Sequence, residues 1–444
     1  MQVTRHPKNP GPAAWAKILP DAAHHPTLEE NRHVDFLIIG GGFAGLTAAR
    51  RISELEPTAT VAVVEAFRLA EGPAGRNSGF MIDLPHDLAS DDYGGQAARD
   101  RQSIRHNRAA ISYACEMVGT FGLPNECFQK IGKINAAATE KGIAHNQAYQ
   151  DHLTHLNEPY DILDDRQMRE LTGITYYKQG LYTPGTVMLQ PAQYIQSLGA
   201  AIVSNRIAIY ENSPVTALDK VDGTWLAQTA KGSISASTVI LATNGLVQAF
   251  GYFKSRVVHI FTYASMTRAL SADEVTRLGG AAHWGFTPAD PLGTTVRRIS
   301  GIGGDRIIIR NRATYEPSLS PSERRLRGVY AQHDASFDAR FPMLKGVEME
   351  HRWGGHLALT LNGVGGFGQL EDGLYSACLQ NGLGTVKGTL HGMAIADICL
   401  KHASNIVDEL LDEATPKRLP PEPISQVAAT LRLKLGERAA GREL

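Results

Sequence analysis

The 444 residues carry 44 Lys and Arg against 45 Asp and Glu, a formal net charge of −1, with 43% hydrophobic and 20% charged residues. Charge so nearly balanced gives no electrostatic reason to expect nucleic acid or an anionic membrane, so the ligand is expected to be a small molecule. No stretch approaches the roughly twenty apolar residues of a membrane span, residues 1–33 lack an apolar core of signal-peptide length, and the expected location is cytoplasmic.

In chain order, the first strong signal runs from residue 34 to residue 65. The apolar run Val34 to Ile39 predicts a strand, and Gly40, Gly42 and Gly45 follow it, with Phe43 and Ala44 opening a helix. Glycine at those three places permits a tight turn, close approach of a pyrophosphate and close helix packing, and the helix N-terminus then faces phosphate. Val61 to Val64 predicts the second strand, and Glu65, with Ala66 behind it, closes it about twenty residues past the last glycine, where a carboxylate accepts hydrogen bonds from ribose hydroxyls. Its charge repels a 2′-phosphate, which disfavours NADP. The segment binds an adenine dinucleotide, and FAD and NAD both satisfy it.

Residues 69–87, LAEGPAGRNSGFMIDLPHD, read as a glycine-rich loop passing close to a flat ligand, and Gln96 to Phe121 as a helix leaving the nucleotide domain. Residues 186–204 supply a short apolar entry and a helix begun by a proline. Two strand-like runs follow, ENSPVTALD and STVILATNG, the second ending on Thr243, Asn244 and Gly245, where backbone can meet the dinucleotide. SRVVHIFTYASMTRAL, TTVRRIS and DRIIIRN predict an antiparallel substrate sheet. MEHRWGGHLALTL leads back, and QNGLGTVKGTLHGMAIADICL is a glycine turn feeding an apolar helix whose N-terminus can face the cofactor. The tail from about Pro416 ends in a peripheral helix. Four scattered cysteines without a CxxC pair indicate neither zinc nor a disulfide framework, and no metal site is expected.

Six segments in this order, IGGGFAGLTAA at 39–49, GRNSGF at 75–80, LQPAQYIQSL at 189–198, ILATNG at 240–245, RWGGHLALT at 352–360 and NGLGTVKGTLHG at 381–392, resemble the FAD-dependent D-amino-acid oxidase and glycine oxidase superfamily. The group around gamma-glutamylputrescine oxidase is the nearest look-alike, with monomeric sarcosine oxidase more distant. The resemblance implies an α/β fold with a discontinuous Rossmann-like FAD-binding domain (34–95, 186–254 and 346–410) and an α+β substrate domain on an antiparallel sheet (96–185 and 255–345). Residues 1–33 would be an N-terminal extension and 411–444 a C-terminal tail. It implies that Gly40, Gly42, Gly45 and Glu65 hold the ADP half of FAD, that Val215 lies near adenine, and that Arg76, Asn77 and Ser78 line the flavin. Gly382, Leu383, Gly384 and Thr385 would face the flavin's pyrimidine end, where reduction places negative charge that a helix N-terminus stabilises.

Three departures from the family pattern matter. Ser78 stands where glycine is common, Leu383 where a histidine is familiar, and Leu357 where sarcosine oxidases carry the cysteine that attaches FAD, so a noncovalent cofactor is expected. The arginine with which D-amino-acid dehydrogenases grip an α-carboxylate at that last position is missing too.

For the chemistry itself, Lys387 stands one residue out of register with a lysine that related oxidases use near the flavin. A surface position in a helix start is its bland alternative. His259, Phe261 and Tyr263 alternate along one strand and should share a face; as a pocket they would suit an amine, with Tyr263 the best candidate and a core stripe the alternative. Among Arg297, Arg298, Arg306 and Arg310, one inward guanidinium could clamp a carboxylate. Trp353 and His356 are either pocket or core. The expected activity is hydride transfer from a small amine or N-substituted amino acid to FAD, hydrolysis of the resulting imine, and reoxidation by molecular oxygen to give hydrogen peroxide. A dehydrogenase passing electrons to a carrier or quinone, a FAD-binding subunit of a larger complex, and an NAD enzyme are the alternatives.

Overall fold

The structure is a computed structural model, which describes residues 1–8, 11, 13–85 and 95–444. The dinucleotide signal folds as read. Strand Asn31–Ile39 runs into helix Phe43–Leu55 and then strand Val61–Val64, and these strands pair in parallel. Their neighbours extend the parallel core to Ile207–Tyr210 on one side and to Ser233–Leu241 and Leu374–Cys378 on the other. Antiparallel strands Ala217–Val221, Thr224–Gln228 and Gly366–Glu371 complete an eight-stranded sheet. The central strands are apolar and buried on both faces, as a covered parallel sheet requires.

One cover is a helix pair. Helix Val386–Cys399 crosses helix Phe43–Leu55 so tightly that a methyl at Gly392 would collide with the Ala44 carbonyl oxygen and one at Gly388 would lie 3.0 Å from the Phe43 Cβ. Glycines four residues apart thus let two helix backbones touch, which fixes where the second helix begins.

A second eight-stranded sheet runs in the order Met349–Leu359, Val258–Thr267, Arg306–Tyr315, Thr295–Ile299, Trp284–Pro288, Lys133–Ala137, Gln179–Thr183 and Asp161–Leu163. It is antiparallel except where Trp284–Pro288 meets Lys133–Ala137. The strands expected from SRVVHIFTYASMTRAL, TTVRRIS and DRIIIRN are its centre. Helix Glu323–Arg340 packs on one face, where Ser265 meets His333 at 2.8 Å and Phe261, Tyr263 and Val329 form a cluster. The other face looks toward the first sheet. A third, small sheet of Phe80–Met81, Val187–Leu189 and Phe128–Gln129 lies between the two.

The tail helix Ile424–Ala440 is largely exposed, but the residues after it are not peripheral. Buried Glu443 accepts the Ala138 and Thr139 amides at 2.9 and 2.8 Å, and the Leu444 carbonyl accepts from Thr294. Positions 86–87, the end of the predicted 69–87 loop, lie outside the described residues. Among the described residues no helix is long and apolar enough to cross a membrane, and no three His, Cys, Asp or Glu cluster as a metal site.

Candidate active site

Gly40 turns with φ +116°, a conformation that favours glycine, and a Cβ there would lie 2.6 Å from the Ala242 carbonyl oxygen. Gly45 packs directly under that turn, and any side chain would overlap the Gly40 carbonyl oxygen. The next helix has Gly42 as its N-cap and no side-chain cap, so its first amides point outward without an internal partner. Phe43, Ala44 and Gly45 are buried in this first turn. Glu65 holds the turn from the other side. Its carboxylate accepts the Gly41 amide at 2.8 Å and the Phe67 amide at 3.2 Å, while burial and then the nearby Glu211 push its pKa up against those bonds. Half-buried Ala66 follows it, and Val215 packs into the core beside Val64 and Leu37. On the neighbouring strand end, Asn244 sits at φ +49° with its Oδ1 buried and unpartnered, between half-buried Thr243 and buried Gly245. The outward amides, the side-chain-free turn and an unsatisfied carbonyl at the sheet edge fit an extended dinucleotide.

The loop after the second strand is locked by its own residues. Asn77 donates to the Ala74 carbonyl at 2.6 Å and accepts the Gly79 amide at 2.8 Å. Arg76 is buried and reaches the Gly354 and Gly11 carbonyls, both at 2.6 Å, leaving Nη2 without a partner. Two tryptophans clamp the same loop: Trp353 donates to the Arg76 carbonyl at 3.0 Å and Trp15 to the Asn77 carbonyl at 2.9 Å. Helix Val386–Cys399 begins at the loop's far end, where the Thr385 hydroxyl donates to the Phe80 carbonyl at 2.7 Å. No side chain caps that helix, and Gly382, at φ +88°, and Gly384 leave its N-terminus bare, with Leu383 against Phe80, Ile82 and Met188.

Between loop and second sheet lies a cleft of about 340 Å³, lined by Arg76, Asn77 and Ser78 on one side, the sheet on the other, and Trp15 and Trp353 as walls. Thr262, Ala264, Thr295, Arg297, Ile308 and Arg310 form the sheet side. Arg297 is its most unusual member. Fully buried, its Nη1 donates to the Leu189, Ser78 and Gly79 carbonyls at 2.8, 3.0 and 3.3 Å, its Nε has no partner, and it lies over the Trp15 and Phe80 rings at 5.1 and 5.6 Å. Burial alone pulls its pKa down to about 9, and burial likewise pulls Arg76 down to about 10. Both stay charged at neutral pH, and among the described residues no Asp or Glu lines the cleft.

Several expected residues stand elsewhere. His259, Phe261 and Tyr263 do share a face, but it is the face turned from the cleft. His259 gives Nε2–H to Gln248 Oε1 at 2.7 Å and meets His356 Nε2 at 3.1 Å. The Phe261 and Tyr263 rings lie 5.1 Å apart, tilted by 55°, under helix Glu323–Arg340, and the Tyr263 hydroxyl pairs with Thr314 at 2.7 Å. Tyr263 still borders the cleft, beside Thr262 and Ala264, the neighbours that point into it. Alternation gives two faces, and the covering helix decides which is inward. Half-buried Lys387 is one turn before His391 on its helix and does not line the cleft. Of the four arginines, Arg298 bonds Asp305 and the Gly279 carbonyl and Arg306 bonds Glu350, while Arg297 and Arg310 face inward. Trp15 had no sequence signal beyond being an aromatic in the N-terminal extension.

The probable oxidoreductase OrdL of Haemophilus influenzae is 25% identical over 388 residues, covering 84% of this chain and 85% of that one. The gamma-glutamylputrescine oxidoreductase of Escherichia coli K12 is 25% identical over 376 residues, with the same coverage. Among solved structures, glycine oxidase from Geobacillus kaustophilus superposes with a TM-score of 0.68 at 18% identity, over 84% of this chain and 96% of that one, a likeness of fold. The profile of the FAD dependent oxidoreductase family, DAO, matches residues 35–398, so the chain belongs to that family and is an FAD-dependent oxidoreductase of the amine and amino-acid class.

Proposed function

We propose that the protein oxidises the C–N bond of a small amino acid or N-substituted amino acid, with noncovalently held FAD and molecular oxygen as terminal acceptor. The observation that carries this reading is the charge of the cleft: among the described residues Arg76, Arg297 and Arg310 line it and no carboxylate does. Such a site attracts a substrate carboxylate and disfavours an ammonium beside it, which lowers the amine pKa toward the neutral form that can react.

When bound, FAD supplies the hydride acceptor; the imine left behind hydrolyses in water to a carbonyl compound and an amine or ammonia. The chain's own residues do the rest. Gly40, Gly42, Gly45 and Glu65 would cradle the ADP half, with Asn244 beside it. Arg76, Asn77 and Ser78, held in place by Trp15 and Trp353, would line the flavin. The bare N-terminus at Gly384 and Thr385 offers positive partial charge where the reduced ring becomes negative. Leu357 stands where relatives carry the cysteine tether, which supports a noncovalent cofactor. Trp15 and Trp353 also exclude water from the cleft.

The test is product analysis under air with a panel of amino acids, N-methyl amino acids and uncharged amines. Hydrogen peroxide and a carbonyl product, formed one to one from a carboxylate-bearing amine, are expected. Carbonyl product formed only when an artificial electron acceptor is added would replace the oxidase assignment with a dehydrogenase.

A further inference from the structure

The tail helix Ile424–Ala440 has two apolar sides, and the fold uses one of them. Its inner side is fastened to the second sheet. Glu437 accepts the Ala313 amide at 3.1 Å and pairs with Arg312 at 3.2 Å, and Gly436 sits so close to Leu292 that a Cβ there would lie 2.2 Å from the leucine Cδ1. Ser425, at the start of the helix, is buried and donates to the Pro420 carbonyl. The outer side carries Ile424, Val427, Leu431 and Leu435, spaced three, four and four residues apart, which lines them up along one face. They are 58, 62, 53 and 57% exposed, four of the twelve large apolar side chains that stand in solvent among the described residues. Apolar residues exposed singly are ordinary; a continuous stripe of them marks a contact surface.

Charge selects what covers the stripe. Exposed Lys434 and Arg438 run along one edge of it and exposed Arg432 along the other. No acid stands among them: the one carboxylate of the helix, Glu437, is turned inward to Arg312, and Glu422, just before the helix, is held by the Tyr315 hydroxyl and the Gln426 amide. A second copy of the chain would set this face against itself, because a two-fold interface is self-complementary, and cation would meet cation. The anionic headgroup surface of a lipid bilayer supplies both complements at once, negative charge for the three cations and an apolar layer just beneath for the stripe. The whole-chain charge of −1 gives no reason to expect such a surface, but this one face does. It also lies outside residues 35–398, so the family likeness gives it no role.

We propose that helix Ile424–Ala440 is a reversible membrane-surface anchor. It lies in the plane of an anionic bilayer with Ile424, Val427, Leu431 and Leu435 set among the upper acyl chains and Arg432, Lys434 and Arg438 on the headgroup phosphates. The inference stands apart from the reaction assigned above.

The experiment is flotation of the FAD-loaded, full-length enzyme with vesicles of phosphatidylcholine alone or mixed equally with phosphatidylglycerol, followed by flavin absorbance, while light scattering reports its mass in solution. The enzyme should float with the mixed vesicles, far less with phosphatidylcholine alone, and be released by added salt, which screens exposed charge. Each cation near an anionic surface strengthens binding about fivefold, so replacing Arg432, Lys434 and Arg438 together by Gln should weaken it roughly a hundredfold. Leu431→Ser with Leu435→Ser should weaken it at least about tenfold. Unchanged flavin content and circular dichroism show that these surface variants are folded. No flotation with mixed vesicles, equal flotation with both lipids, or flotation that survives both sets of substitutions would overturn the proposal. So would a dimer in solution that the leucine substitutions convert to monomer, since a second copy would then cover the stripe.

Discussion

The Thr385 hydroxyl donates to the Phe80 carbonyl at 2.7 Å, joining the start of helix Val386–Cys399 to the end of the Arg76–Gly79 loop across 305 positions of sequence. Both groups are buried, so the bond fixes the bare helix N-terminus against the loop that walls the cleft. Thr385→Val keeps shape and loses the donor. It should cost about 1–2 kcal/mol of stability, because the Phe80 carbonyl is left unsatisfied, and Thr385→Ser should restore most of it. Thermal unfolding of the three proteins at matched FAD concentration measures this.

Gly45→Val is expected to abolish FAD retention with the rest of the chain still folded. The new side chain overlaps the Gly40 carbonyl, so the turn must open where the pyrophosphate approaches. Flavin absorbance of the purified variant, against its far-ultraviolet circular dichroism, gives both readings.

Arg297 holds three backbone carbonyls and lines the cleft, and Arg297→Lys should separate those roles. A lysine preserves the charge but not the planar fork. The KM for carboxylate-bearing amines should rise at least tenfold while that for uncharged amines moves little. Equal changes for both classes would make Arg297 a purely structural staple.

The pair His259 and His356 predicts an acid limb in the stability curve. Burial lowers His259 to about 4 and, with His259 beside it, His356 to about 3; nearby Arg5 lowers both. His259 gives its Nε2–H to Gln248, so its Nδ1 accepts from His356 and an extra proton on His259 would break that pairing. The unfolded chain binds protons near pH 6.5 and the folded pair does not, so stability is fully present above about pH 6.5. It falls as pH drops toward 4, by roughly 1.4 kcal/mol per pH unit for each proton. His259→Asn should flatten this limb, as chemical denaturation between pH 7 and pH 4 would report.

The nucleotide half was legible because its signals are local: glycines, strand and carboxylate lie within about thirty residues and each has one physical use. The second sheet was legible as strands but not as faces. Thr262 and Ala264 point into the cleft and Tyr263 only borders it, because helix Glu323–Arg340 covers the side of Phe261 and Tyr263 while His259 packs on Gln248 and His356, and nothing within the strand announces those neighbours. Arg297 was legible as one of four candidates, and its selection is tertiary: Arg298 and Arg306 find Asp305 and Glu350, and Arg297 finds only carbonyls. Trp15 was illegible, since its role depends on a short helix, Ala14–Lys17, folding back from the N-terminal segment onto the cleft.

The most direct test of the account is anaerobic. The purified protein's visible flavin absorbance is followed while carboxylate-bearing and uncharged amines of matched size are added without oxygen. Bleaching by the carboxylate-bearing series, reversed when air is admitted, is the predicted result. Bleaching by uncharged amines alone would contradict the assignment of the arginine-lined cleft as the substrate site, and a protein purified without flavin that takes up none would contradict the cradle around Gly40 and Glu65.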